Sequence, residues 1–172
     1  RVVNAAEYGA AQRRRRTFIF AYRNDTKWGI YQGKNTVQEI FNSEGFFAKT
    51  FTINPVSDID SCIIDYRNIH SVSEEFKFEF ANAGYMHNGV VYTTKVVPVE
   101  ENPVTLREVL EKDVDEKYYL GENLDKWQYL KGSKKILRTA KNGHQYTFSE
   151  GAIAFPDVLD APSRTMLTSE SS

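Results

Sequence analysis

One cysteine, two methionines, five prolines and three histidines in 172 residues leave several chemistries without material. Cys62 alone closes no internal disulfide, and no cysteine or histidine cluster offers the ligand spacing of a zinc site. Redox and metal chemistry are therefore not expected, and Cys62 reads as a small core or strand residue. No apolar run reaches the roughly 18 residues that a membrane-spanning helix needs, and RVVNAAEYG at the start lacks the features of a signal peptide. The chain reads as soluble and intracellular. An excess of one charge is lacking too: 22 Lys and Arg meet 23 Asp and Glu, a net charge of −1, which argues against a uniformly basic nucleic-acid binder.

What the chain has instead is charge in blocks and enough apolar residues, 41%, for a real core. Residues 1–16 carry five arginines against Glu7, residues 100–125 nine acids against three bases, and residues 126–149 six bases and no acid. Two basic segments flank an acidic one.

Short elements of both kinds follow from local pattern, an α+β reading. RTFIFAY has the length and composition of an internal strand, with the arginines at its mouth. Asn35 or Thr36 caps a short helix through Phe41 that Gly45 ends. FAKTFTI reads as a strand stopped by Asn54-Pro55, and CIIDY as another. FKFEF alternates, which puts Phe76, Phe78 and Phe80 on one face and in the core. Asn88-Gly89 between apolar runs predicts a tight hairpin, because both residues tolerate positive φ. TLREVLEKDV has capping-box spacing from Thr105 to Glu108 and a helical apolar face of Leu106, Val109 and Leu110. KKILRTAKNGHQYTF predicts a second hairpin turning at Asn142-Gly143, with a strongly positive exposed face. SRTMLTS reads as a closing strand. His70 and His87, in turn-like contexts, read as surface residues.

The run Arg13 to Arg16 is by charge alone a solvated basic stretch. In an extended segment, however, Gln12, Arg14 and Arg16 share one face and Arg13 and Arg15 the other. Guanidinium pairs so placed suit phosphate or a base carbonyl oxygen, since their donors are forked and permanently charged. The context sharpens this. NAAEYGAAQRRRRTFIFAYR resembles the eighth conserved motif of DNA (cytosine-5) methyltransferases, with Glu7-Tyr8-Gly9, then Gln12, Arg14 and Arg16, then the apolar run Thr17 to Ala21. APSRTMLTSESS is similar to the segment where that family's target recognition domain returns to the catalytic domain, with Thr165 at the position of a threonine that contacts the DNA backbone. Met166 stands where leucine is usual.

The resemblance implies a division into residues 1–25 as the end of the catalytic domain, 26–160 as a small β-rich target recognition domain with short helices, and 161–172 as a strand returning to the α/β catalytic domain. It implies duplex DNA as partner and S-adenosylmethionine as the cofactor of a parent enzyme, bacterial or phage-encoded, cytoplasmic and monomeric, that methylates carbon 5 of a flipped cytosine in a restriction-modification setting. Arg16 is expected at the cytosine carbonyl oxygen, Arg14 beside it or at phosphate, and Gln12 ordering the loop; Arg13 and Arg15 are expected to face structure or phosphate. The cofactor loop, the nucleophile's Pro-Cys and the Glu-Asn-Val segment do not occur in the chain. It is therefore expected to be an excised fragment, inactive alone, with no cofactor-binding residues of its own. Lys134, Lys135, Arg138, Lys141, Asn142, His144 and Gln145 of the second hairpin are the candidates for DNA contact. Two other readings stay open, an autonomous DNA-binding specificity subunit and a protein-interaction domain.

Overall fold

Around the Asn88-Gly89 turn the chain builds its largest sheet. Asn88 (φ 49°) and Gly89 (φ 77°) both take left-handed backbone, which closes β5 (Ala83–His87) onto β6 (Val90–Thr94) in a two-residue turn. β4 (Asp60–Ile63) pairs antiparallel with the other edge of β6, so the sheet order is β4-β6-β5. The computed structural model describes residues 1–64 and 68–165.

One face of this sheet packs against helical turns. α1 (Lys27–Gln32) is capped by the Thr26 hydroxyl. α2 (Val37–Glu39) starts from the capping box of Thr36 and Glu39, runs on through one π-helical turn at Ile40–Glu44, and ends at Gly45 as expected. Phe41, Ile53, Ala83 and Val96 form the buried cluster, with Val37, Val56, Ile59, Tyr85 and Tyr92 packed around it. Each large apolar side chain so buried contributes about 1.5–3 kcal/mol.

Most polar groups taken inside are paired; Arg1 Nε, Asn4 Oδ1 and Trp28 Nε1 are the buried side-chain atoms without a partner among the described residues. Thr93, 1% exposed, donates from its hydroxyl to Ala83 O (2.7 Å) and accepts from Ala81 N (3.0 Å). Asn82 grips both backbone groups of Val96, and Asn42 both of Val56. Buried Gln32 donates to Glu44 O at 2.7 Å. Such pairing removes the penalty that an unsatisfied buried group would carry.

Several expected strands are absent or displaced. FAKTFTI is mostly α3 (Phe46–Thr50), and only Ile53 makes a bridge, to Pro98. The strand over CIIDY begins earlier, at Asp60, and its Asp65 and Tyr66 lie outside the described residues. FKFEF is irregular: Phe76, Phe78 and Phe80 pack on one another with ring centroids 5.6–6.3 Å apart, and none joins the buried cluster. His70 lies exposed on α4 (Ile69–Glu75), capped by Asn68, and His87 ends β5, stacked on Tyr85.

The strand expected at Thr17 to Ala21 lies earlier, within the arginines. β1 (Val2–Asn4) pairs antiparallel with β3 (Arg15–Thr17), Phe18 exchanges backbone bonds with Arg1 (2.8 and 2.7 Å), and Ile19–Ala21 carries no ladder; Ile19 is 90% exposed. Phe20 instead stacks on Phe46, ring centroids 3.9 Å apart, so aromatic packing against α3 holds the run in place. Later in the chain come α5 (Leu106–Val109), α6 (Leu124–Lys131) and a separate hairpin of β7 (Lys134–Thr139) and β8 (Gln145–Glu150). The class is α+β.

Candidate nucleic-acid interface

Gln12–Arg13, strand β2, runs parallel to Ser163–Arg164, strand β9, and this brings the two ends of the chain together. Ser163 donates to Ala11 O from both its N–H (2.8 Å) and its hydroxyl (3.1 Å). The Gln12 amide donates to Arg164 O (3.4 Å) and the Thr165 hydroxyl to Arg13 O (2.7 Å), each across 152 residues. Thr165 and the Gln-x-Arg-x-Arg segment, both singled out in the sequence, are therefore neighbours. The rest of the expected closing strand, from Met166, lies outside the described residues.

A second layer supports this seam. Gly9 takes φ +79°, which lets the Glu7-Tyr8-Gly9 turn lie against residues 101–104, where Glu101 N donates to Glu7 O and Val104 N to Gly9 O. Thr105 N–H and hydroxyl both donate to Glu108 Oε2 at 2.7 Å, starting α5, and the N–H groups of Leu106 and Arg107 then donate to Ala161 O and Leu159 O. Arg107 holds Asp160 with two bonds, 2.6 and 3.0 Å. Segment 157–165 is thus gripped between α5 and the arginines.

The four arginines are not one continuous strand. Arg14 N donates to Gln12 O at 2.9 Å, a three-residue turn that separates β2 from β3 and breaks the strict alternation of faces. All four are exposed. Arg13 alone among them meets a carboxylate of the described residues, Asp157 at 3.1 Å. Arg16 donates to Arg15 O at 2.7 Å, a bond on the open surface.

The second hairpin turns where expected but by another geometry. Ala140 N donates to His144 O and Gly143 N to Ala140 O, and Gly143 (φ 82°) supplies the left-handed residue of a three-residue loop with a bulge. Asn142 is fixed as an acceptor for His144 N at 3.2 Å. Alternation along β7 puts Lys134 and Arg138 on one face and Lys135 on the other, and Glu150 opposite Lys134 offsets its charge, so the single strongly positive face does not form. Lys134, its side chain 10% exposed, donates to Leu130 O (2.6 Å) and to Glu150 (3.0 Å). Arg138 lies 4.0 Å from the centre of the Phe148 ring. Lys135, Lys141, His144 and Gln145 remain exposed.

Asp157 and Ser163 escaped the sequence reading. A lone aspartate after proline carries no local sign of a partner 144 residues away. Burial pushes the Asp157 carboxyl up, but the N–H groups of Arg164 and Val158 and the charges of Arg13 and Arg164 outweigh it and hold it below its ordinary value.

A turn of Glu-Tyr-Gly, an arginine segment, and a threonine returning beside it after a long excursion thus lie together. Residues 1–171 match the family of C-5 cytosine-specific DNA methylases, and the chain belongs to that family. The type II methyltransferase M.Sau3AI of Staphylococcus aureus is a relative, 43% identical over 176 residues, covering 100% of this chain and 42% of that protein. The chain thus spans about two fifths of the length of the curated relative it matches. No solved structure matches it. Among the described residues, no helix is long and apolar enough to cross a membrane.

Proposed function

We propose that the chain is the DNA-recognition portion of a cytosine-5 methyltransferase, with residues 26–160 as the target recognition domain and residues 1–25 and 161–172 as strands of the catalytic domain. The observation that carries this reading is the seam, where Thr165 donates to Arg13 O and β9 lies along β2. A recognition domain inserted into a catalytic sheet must leave and return at adjacent positions, and these strands do. The exposed apolar residues Ile19 to Ala21, which carry no ladder among the described residues, fit the edge that further strands of a catalytic sheet would cover.

In this reading Arg16 donates to the carbonyl oxygen of the flipped cytosine. As a nucleophile supplied from outside this chain adds to the ring, negative charge grows there, and a guanidinium that stays protonated at any working pH favours the charged state. Its present bond to Arg15 O is exposed and exchangeable with water. Arg14 stands beside it or on an adjacent phosphate, and Gln12 orders the seam through Arg164 O. Lys135, Lys141 and Arg138 supply charge toward the duplex, while Asn142, His144 and Gln145 carry the donors and acceptors that base edges need. Lys134, held by Glu150, positions the hairpin.

The family's cofactor, S-adenosylmethionine, supplies the methyl group in such enzymes. The described residues do not fit it. A cradle needs a glycine-rich turn at a sheet edge, whereas Gly89 and Gly143 shape hairpin turns, and a Cβ on Gly29 or Gly45 would meet the backbone of Arg23 or Ile40 at 2.3 Å.

The test is methyl transfer to duplex DNA by the full-length gene product. Arg16→Ala is expected to lower turnover by about 10²–10³, the cost of removing one donor from a developing oxyanion, with duplex affinity within a few-fold. Unchanged turnover would overturn the role of Arg16. Association with protein partners and no salt-dependent binding to duplex DNA would overturn the function itself.

A further inference from the structure

The ladder between β2 and β9 is two residue pairs long, too short to resist slipping by backbone hydrogen bonds alone. Side-chain bonds of Gln12, Ser163 and Thr165 cross the seam one at a time, whereas a single carboxylate ties both strands at once. Asp157, its side chain 14% exposed, uses both oxygens: Oδ1 accepts from Arg13 NH2 at 3.1 Å and from Val158 N at 3.0 Å, and Oδ2 accepts from Arg164 N at 3.0 Å. One group thus binds the side chain of the middle residue of the arginine turn and the backbone of the opposite strand. A one-residue slip of β9 would carry Arg164 N away from Oδ2 and Thr165 away from Arg13 O.

We propose that Asp157 is a positioning residue for methyl transfer: paired with Arg13, it fixes the register of β2 on β9 and so sets where Arg14, Arg16 and Thr165 meet the substrate. The inference rests on the methyltransferase reading above. It also divides the arginine run. Arg13 has its guanidinium on a carboxylate within the fold, whereas Arg14 and Arg16 have no such partner among the described residues. Arg13 is a clamp, and the charge offered to DNA comes from its neighbours.

The experiment uses the full-length enzyme, with kcat and KM for duplex DNA, the dissociation constant of the duplex, and the active fraction measured for each variant. Asp157→Asn keeps size but turns one acceptor into a donor facing an N–H group. Asp157→Asn and Arg13→Gln are each expected to lower kcat about tenfold with duplex affinity changed less than about twofold, because misplacement penalises the transition state more than binding. The double variant is expected to lose no more than either single one, since both break the same pair. Exchanging the charges, Arg13→Asp with Asp157→Arg, is expected to recover part of the loss.

Unchanged kcat in Asp157→Asn, or losses that add in the double variant, would overturn the proposal. A lower active fraction with unchanged kcat per active site would also overturn it, because that is all a purely structural contact would give. If Asp157→Asn fails to fold, Arg13→Gln and the exchanged pair decide the matter. A wild-type enzyme without methyl transfer overturns the methyltransferase reading itself, and this proposal with it; an active wild type with an unaffected Asp157→Asn overturns this proposal alone.

Discussion

Thr165 poses a conflict that a single substitution resolves. Its hydroxyl has one hydrogen, and that hydrogen points at Arg13 O, 2.7 Å away. A DNA phosphate offers only acceptors, so Thr165 cannot donate to it and to Arg13 O at once. Binding DNA through this hydroxyl therefore exchanges one bond for the other. Thr165→Val keeps the shape and removes the donor. A hydrogen bond contributes a net 0.5–1.5 kcal/mol, and at this partly open site the lower half applies, about 0.5–1 kcal/mol. For a chain of 172 residues that corresponds to a Tm lower by about 1–4 °C, readable by calorimetry. Thr165→Ser keeps the donor and is expected to stay near wild type. The gain from a charged phosphate acceptor, about 1.5–3 kcal/mol, is offset in part by loss of the Arg13 bond, which leaves about 0.5–2.5 kcal/mol, so Thr165→Val is expected to weaken duplex binding by about 2- to 70-fold. Unchanged stability of Thr165→Val, with a loss of binding of about a hundredfold or more, would refute the reasoning, because it would mean that the hydroxyl was never held.

Acidification tests the Asp157 clamp from another side. Its carboxyl is lowered in the fold, so the stabilisation is fully present above the ordinary carboxylate value and is lost as pH falls through the folded value. Urea midpoints measured across that range should fall for wild type relative to Asp157→Asn, and parallel curves would sink the assignment. In the basic hairpin, Lys135→Ala in the full-length protein is expected to reduce the salt slope of DNA binding by about one, whereas Lys134→Ala should leave the slope and lower stability instead; equal slopes for the two would contradict the division of faces. Gly89→Ala meets no atom closer than 3.6 Å but must hold φ +77°, so strain alone should cost about 1–2 kcal/mol in chemical denaturation, and a neutral result would mean that the turn differs.

Much of the local structure was legible because its cause is local. The Thr36 cap, which was one of two expected, Thr105 with Glu108, and Asn88 with Gly89 each depend on partners within a few residues, and all three form. Short apolar runs were not legible. FAKTFTI suits a strand by composition, but its Phe47 and Phe51 are also four apart, and Phe46 stacked on Phe20 is what decides for a helix. FKFEF alternates as a strand should, yet no neighbouring strand takes up its ladder, so its rings pack on one another.

The candidate site divides along the same line. Residue order alone picked out Glu7-Tyr8-Gly9, Gln12 and the arginines as a candidate site, because they form a pattern of fixed spacing within one short segment. It also picked out the two turn-forming Asn-Gly pairs. Only the tertiary structure decided that Thr165 stands on Arg13 O, that Asp157 separates Arg13 from its neighbours, and that Glu150 takes Lys134 out of the basic face. The physical reason is range. Caps and turns are set by backbone preferences over three or four residues, whereas an ion pair across 144 residues exists only once the chain between them has folded.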